Sequence, residues 1–141
     1  MAAPVISSVA TTSYNVNDTN TTYSLNLPSG ISVGDCLVVH FRTQATNFGI
    51  NGHAEIDGFS RVSAGDFGST TNRYQALFFK AIVSVGDIPS EVWIEATTTG
   101  SSRGVVTMLR VSGADLSDPV IDQTSALGSI TGTTITRQLY N

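Results

Sequence analysis

Polar and apolar positions alternate with a period of two along much of this chain, the mark of strands that bury one face. In residues 22–27, Tyr23, Leu25 and Leu27 share one side, and Pro28-Ser29-Gly30 closes the run. Residues 91–98 repeat the pattern: Val92, Ile94 and Ala96 align on one face and Trp93 lies on the other. Residues 36–42 are apolar almost without interruption, as expected of a strand deep in a sandwich. Further strands are predicted over 5–9, 59–62, 73–84, 103–111, 119–124 and 130–139. Two polar stretches separate them. One is 44–57, with the turn dipeptides Asn51-Gly52 and Asp57-Gly58, and the other is 64–71.

No window of about a dozen residues carries an apolar stripe at i, i+3, i+4, and the β-branched, Gly and Ser content works against helix. Eight or nine short strands broken by turns predict an all-β chain of one domain spanning 1–141. The expected architecture is an antiparallel β-sandwich of jelly-roll or immunoglobulin-like type; the pattern does not separate the two. Ser32-Val33-Gly34-Asp35 returns as Ser84-Val85-Gly86-Asp87, each beside a strand. Glycine supplies backbone freedom and aspartate bonds nearby amides, so the tetrapeptide predicts two similar corners and not a duplication.

Composition narrows the function classes. Charged residues are 13% of the 141, and net charge is −4, which excludes disorder by charge repulsion and argues against an extended basic surface for nucleic acid. A single cysteine excludes an intramolecular disulfide and a multi-cysteine metal site; among Leu37, Val38 and Val39, Cys36 reads as a core residue. No apolar run approaches the length of a membrane span and the N-terminus lacks a signal-peptide pattern, so cytoplasmic synthesis without membrane insertion is expected. The sequons at Asn17 and Asn20 read as polar loop chemistry.

Candidate chemistry is sparse. The chain has no P-loop or dinucleotide fingerprint. His40, between Val39 and Phe41, reads as a half-buried structural histidine. His53, Glu55 and Asp57 would align on one side of an extended segment and form the sharpest metal hypothesis, although generic spacing favours a solvated surface; no metal and no cofactor is expected. The carboxylates, Glu91 and Glu95 among them, show no arrangement for glycoside hydrolysis, so no catalytic residue is assigned. Trp93, flanked by Val92 and Ile94, is expected in the core. Phe48 and Phe67, in the polar stretches, are the candidate contacts for a partner or a glycan, while a loop aromatic such as Phe59 can also plug its own loop.

The order of short motifs carries a resemblance. Leu27-Pro28-Ser29-Gly30 runs on to Gly34-Asp35-Cys36-Leu37-Val38; Gly58-Phe59-Ser60-Arg61-Val62 follows. Then come Phe79-Lys80-Ala81 with Gly86-Asp87, Val92-Trp93-Ile94-Glu95-Ala96, and Ser112-Gly113-Ala114-Asp115 with Pro119-Val120-Ile121-Asp122. Over about residues 5–125 this order resembles β-sandwich modules of phage minor tail proteins, tail fibres and other virion surface proteins. Val111 stands where that pattern has an aromatic, Phe59 stands where it has tryptophan, and the part from Ser125 matches by composition only. The resemblance implies a non-enzymatic virion structural protein, a minor tail or fibre component or a capsid decoration protein. Its partners would be other virion proteins and copies of itself as a homo-oligomer. The terminal segments 1–9 and 128–141 are expected to contact neighbours by strand addition. The alternative is a carbohydrate-binding module for host-surface glycans.

Overall fold

The computed structural model describes residues 3–16, 20–45, 54–67, 73–97 and 102–117. They form strands β1 (Val5–Val16), β2 (Asn20–Ser24), β3 (Asp35–Ala45), β4 (Ala54–Ile56), β5 (Ser60–Phe67), β6 (Arg73–Ala81), β7 (Trp93–Thr97) and β8 (Ser102–Ser112), with one 3₁₀ turn at Val85–Asp87. Two antiparallel sheets result, a five-stranded one in the order β1-β8-β3-β6-β5 and a three-stranded one in the order β2-β7-β4. The all-β sandwich expected from the alternation is the fold. Three of its pairings are nested, β1 with β8, β2 with β7 and β3 with β6, while β3 also pairs with β8 and β4 with β7.

The sheets face each other over one core. Leu37, Val39 and Phe41 of β3, Ala76 and Phe78 of β6, and Val106 and Met108 of β8 meet Ala54, Ile56, Ile94 and Ala96 of the smaller sheet. Every one of them sits at an alternate position of its strand, so each strand contributes one face. Tyr14 extends this core on β1, its ring stacked 4.5 Å from Tyr23 and 5.9 Å from Phe41.

Several element bounds differ from the sequence expectation. β1 runs to Val16 and not to residue 9, because the Thr- and Tyr-rich continuation keeps a full ladder with β8. β4 lies inside the stretch read as polar loop; three residues are too few for a period to declare itself, yet Ala54 and Ile56 are buried. β5 continues into the second polar stretch as far as Phe67, held by pairing with β6. β6 stops at Ala81, because the Ile82 amide turns to the Asp35 carbonyl (2.9 Å) and its carbonyl accepts from the Gly34 amide (2.8 Å). The strands expected over 119–124 and 130–139 lie outside the described residues.

The repeated tetrapeptide does build the same corner twice. Asp35 Oδ2 accepts from the Ser32 amide (2.8 Å) and hydroxyl (3.0 Å), and Asp87 Oδ2 accepts from the Ser84 amide and hydroxyl, both at 2.8 Å. The first corner is anchored further. Asp35 is buried, and it accepts from Arg110 Nε at 2.8 Å and from the Ser112 hydroxyl at 2.8 Å. Arg110 in turn reaches the Ser29 carbonyl at 3.2 Å and packs against Gly30, whose φ of +73° suits glycine. A β-carbon there would stand 2.7 Å from Arg110 Nη1.

Candidate functional site

Two surfaces stand out, one on the outer side of each sheet. On the five-stranded sheet the residues that alternate with the core set face outward, and they too are largely apolar. Register places Ile6, Val111, Cys36 and Ala81 in one cross-strand row and Val9, Leu109, Val38 and Phe79 in the next. A third row holds Thr11, Thr107, His40 and Leu77. Ile6 and Val9 are more than half exposed, at 58% and 56%, while Val38, Phe79, Leu109 and Val111 are half-buried and Cys36 is buried. An antiparallel sheet with one face on a core usually shows polar residues on the other. The near-continuous apolar run of β3 reflects this double-sided sheet: Leu37, Val39 and Phe41 serve the core, and Cys36 and Val38 the outside. His40 is half-buried on the outer side, with Nε2 3.4 Å from Gln75 Oε1.

β1 forms the rim of this sheet. Its middle is flanked by the chain leaving β2. Asn26 donates its amide to the Thr12 hydroxyl and its side-chain nitrogen to the Thr11 carbonyl, each at 2.8 Å, and the Ser8 hydroxyl donates to the Ser29 carbonyl at 2.9 Å. A bulge between Ile6 and Ser8 interrupts the ladder toward Val5. Segment 5–9 therefore sits in the chain's own sheet, as its edge strand.

The second surface is a groove of about 590 Å³ whose lining joins outward residues of the smaller sheet to Ile56, Phe59 and Phe78 of the core. It runs from Thr22 on β2 across Trp93 and Glu95 on β7 and Glu55 on β4 to Asp57 in the β4–β5 turn and Arg61 on β5. Trp93 is 46% exposed, which corrects the expectation that it packs in the core. The reason is alternation: Val92, Ile94 and Ala96 all point inward, so the odd positions of β7 are committed to solvent. Glu55 and Glu95 are direct register partners on this face, both exposed.

Of the residues singled out by sequence, Glu55 and Asp57 line the groove, whereas His53 and Phe48 lie outside the described residues. Phe67 ends β5 opposite Arg73, and its side chain lies outside the described residues. Glu91 precedes β7 and is exposed. Phe59 is half-buried against the core, with the Lys80 ammonium 5.8 Å from its ring centre, so this loop aromatic plugs its own loop. Among the described residues no three His, Cys, Asp or Glu side chains are grouped to hold a metal ion, and no helix is long and apolar enough to cross a membrane. Sequence reasoning passed over Trp93 as a surface residue; the signal that could have found it was its phase against Val92, Ile94 and Ala96. No protein-family model, curated protein or solved structure matches the chain.

Proposed function

We propose that this protein is a non-enzymatic structural component of a phage virion, a minor tail or fibre component or a capsid decoration protein, that works by assembling with copies of itself and with other virion proteins. The observation that carries the reading is the apolar outer face of the five-stranded sheet, bounded by β1. Large contiguous apolar surface is rare on soluble monomers and marks association sites. A second copy laid face to face would turn this sheet into a two-sided core, the way sheets pack in sandwiches. The nested pairing of β1 with β8, β2 with β7 and β3 with β6 supports the jelly-roll reading over the immunoglobulin-like one. The resemblance in motif order points to the virion, and the low charge of the surface suits subunit contacts without long-range repulsion.

The test is the mass of the protein in solution across a concentration series, for the native chain and for a Val38→Lys, Phe79→Lys variant. A native oligomer that the double variant reduces to monomer supports the reading. A native chain that stays monomeric at every concentration overturns it. Tracing the chain in a density map of intact particles then separates head from tail.

A further inference from the structure

We infer that β5 is an association edge, at which two copies of this chain pair antiparallel about a two-fold axis and join their five-stranded sheets into one continuous sheet. This rests on the reading that the chain assembles with itself, and it assigns a contact to the edge of the sheet where that reading uses the apolar face. Among the described strands the two sheets have four edges, β1, β5, β2 and β4. β1 is flanked by the chain leaving β2, through Asn26 on Thr11 and Thr12 and through Ser29 on Ser8. β2 and β4 are only five and three residues long. β5 has eight residues, Ser60–Phe67, and among the described residues it pairs with β6 alone. A strand of that length with one unpaired row of amides and carbonyls is a template for another strand.

The strand is complementary to itself, which selects a second copy as the occupant. Its ladder with β6 has seven register positions, because the bulge between Arg61 and Ser63 leaves Val62 without a position of its own. An antiparallel pair that overlaps all seven is centred on Ala64. It sets Ser63 opposite Gly65, Arg61 opposite Asp66 and Ser60 opposite Phe67, each twice by symmetry. Arg61 and Asp66 partner Phe78 and Tyr74, an even number of positions apart on β6, so both fall on the same side of the sheet. The register of fullest overlap is therefore the one that pairs the strand's two charges, and opposite charges at register partners stabilise a sheet. A strand guarded against self-pairing carries like charges, whereas β5 carries one of each sign. Gly65 completes the match. It stands opposite the bulged end of the other copy, where the backbones crowd, and glycine in a strand interior suits such a close approach.

The test is sedimentation of the full chain over a concentration series, with hydrogen exchange resolved along β5. The native chain is expected to self-associate, and β5 amides to gain protection as concentration rises. Arg61→Glu and Asp66→Lys each set like charges opposite one another and should weaken association about tenfold. Asp66→Lys also separates pairing from net charge, because it lowers the negative charge of the chain, which by itself favours association. The combined Arg61→Glu, Asp66→Lys variant restores opposite charges and should recover native affinity. A native oligomer that both single variants leave unchanged, or whose β5 amides exchange alike at every concentration, overturns the inference and leaves the apolar-face reading standing. So does a combined variant with native circular dichroism that fails to recover. A charge-sensitive native dimer that Val38→Lys, Phe79→Lys leaves intact supports the inference and removes the face reading. A native chain that is monomeric at every concentration overturns both.

Discussion

The two copies of the Ser-Val-Gly-Asp corner provide an internal control for the anchor that joins β3 to β8. In both, aspartate accepts from the serine amide and hydroxyl, so Asp35→Ala and Asp87→Ala delete the same local bonds. Only Asp35→Ala also strands Arg110 and Ser112, which donate to its two oxygens at 2.8 Å each. Removing one partner of a buried ion pair costs about 3–5 kcal/mol, because the other charge is left without its partner. The Arg110 side chain is 22% exposed, so water recovers part of that loss and the lower end applies, about 3 kcal/mol. For a domain of this length that is a fall of roughly 10 °C in melting temperature. Asp87→Ala, on an exposed turn, should give a clearly smaller fall. The assay is thermal unfolding followed by circular dichroism for both variants and for the Asp35→Ala, Arg110→Ala double variant. The double variant should be less destabilised than the sum of the two singles, by about 1 kcal/mol or more. Equal falls for the two aspartates, with additive behaviour in the cycle, would refute the account and assign the stability to the local turn alone.

Four further outcomes follow from the same contacts. Burial raises the Asp35 carboxyl, but hydrogen bonds from Ser112, Ser32 and Arg110 outweigh it and hold the group below its ordinary value. Its folded pKa is then below the unfolded one, so its contribution is complete above about pH 4 and is lost as pH falls through the folded value. Asp35→Asn should therefore flatten the acid limb of a stability–pH profile measured by urea unfolding. Phe41→Ala, which removes a fully buried ring stacked on Tyr14, should cost about 3–5 kcal/mol in the same assay. Gly30→Ala should destabilise by more than about 1 kcal/mol, since it combines a φ of +73° with a clash against the anchored Arg110 guanidinium. Burial pushes the Cys36 thiol up, so the native protein should react with a thiol reagent far more slowly than the urea-unfolded chain; equal rates would show an open site.

What was legible in the sequence was whatever repeats within one strand. The alternation at Tyr23 and Leu25, and at Val92, Ile94 and Ala96, states which side faces the core before any partner is known. It also stated the orientation of Trp93, but the apolar flanks made the strand read as buried on both sides. What was not legible depends on pairing between distant segments. β4 is a strand because Ala54 and Ile56 find Ala96 and Ile94 across the ladder, and nothing in three residues announces that. The juxtaposition of Glu55 with Glu95, forty residues apart in the chain, is likewise a register fact. The candidate contacts Phe48 and Phe67 were named as aromatics in polar stretches, and their side chains lie outside the described residues.

The double-sided character of the five-stranded sheet bears most directly on assembly. A near-continuous apolar run, such as residues 36–39, is the pattern of a sheet covered on both faces. In β3, one side is covered by the smaller sheet, and among the described residues the other side meets no second layer. Fully burying a Val, Leu or Phe side chain is worth about 1.5–3 kcal/mol. Val9, Val38, Phe79, Leu109 and Val111 retain enough exposure for a face-to-face partner to gain several kcal/mol from them on each copy. Association must overcome about 4–15 kcal/mol of lost rigid-body freedom, so the face must close as a whole and not through a few side chains. Hydrogen exchange distinguishes the possible covers. Amides of β3 and β8 that grow more protected with rising protein concentration assign the cover to another copy. Protection that is independent of concentration, and lost when the chain is cut after Ser117, assigns it to the chain's own later residues and removes the main support for self-assembly.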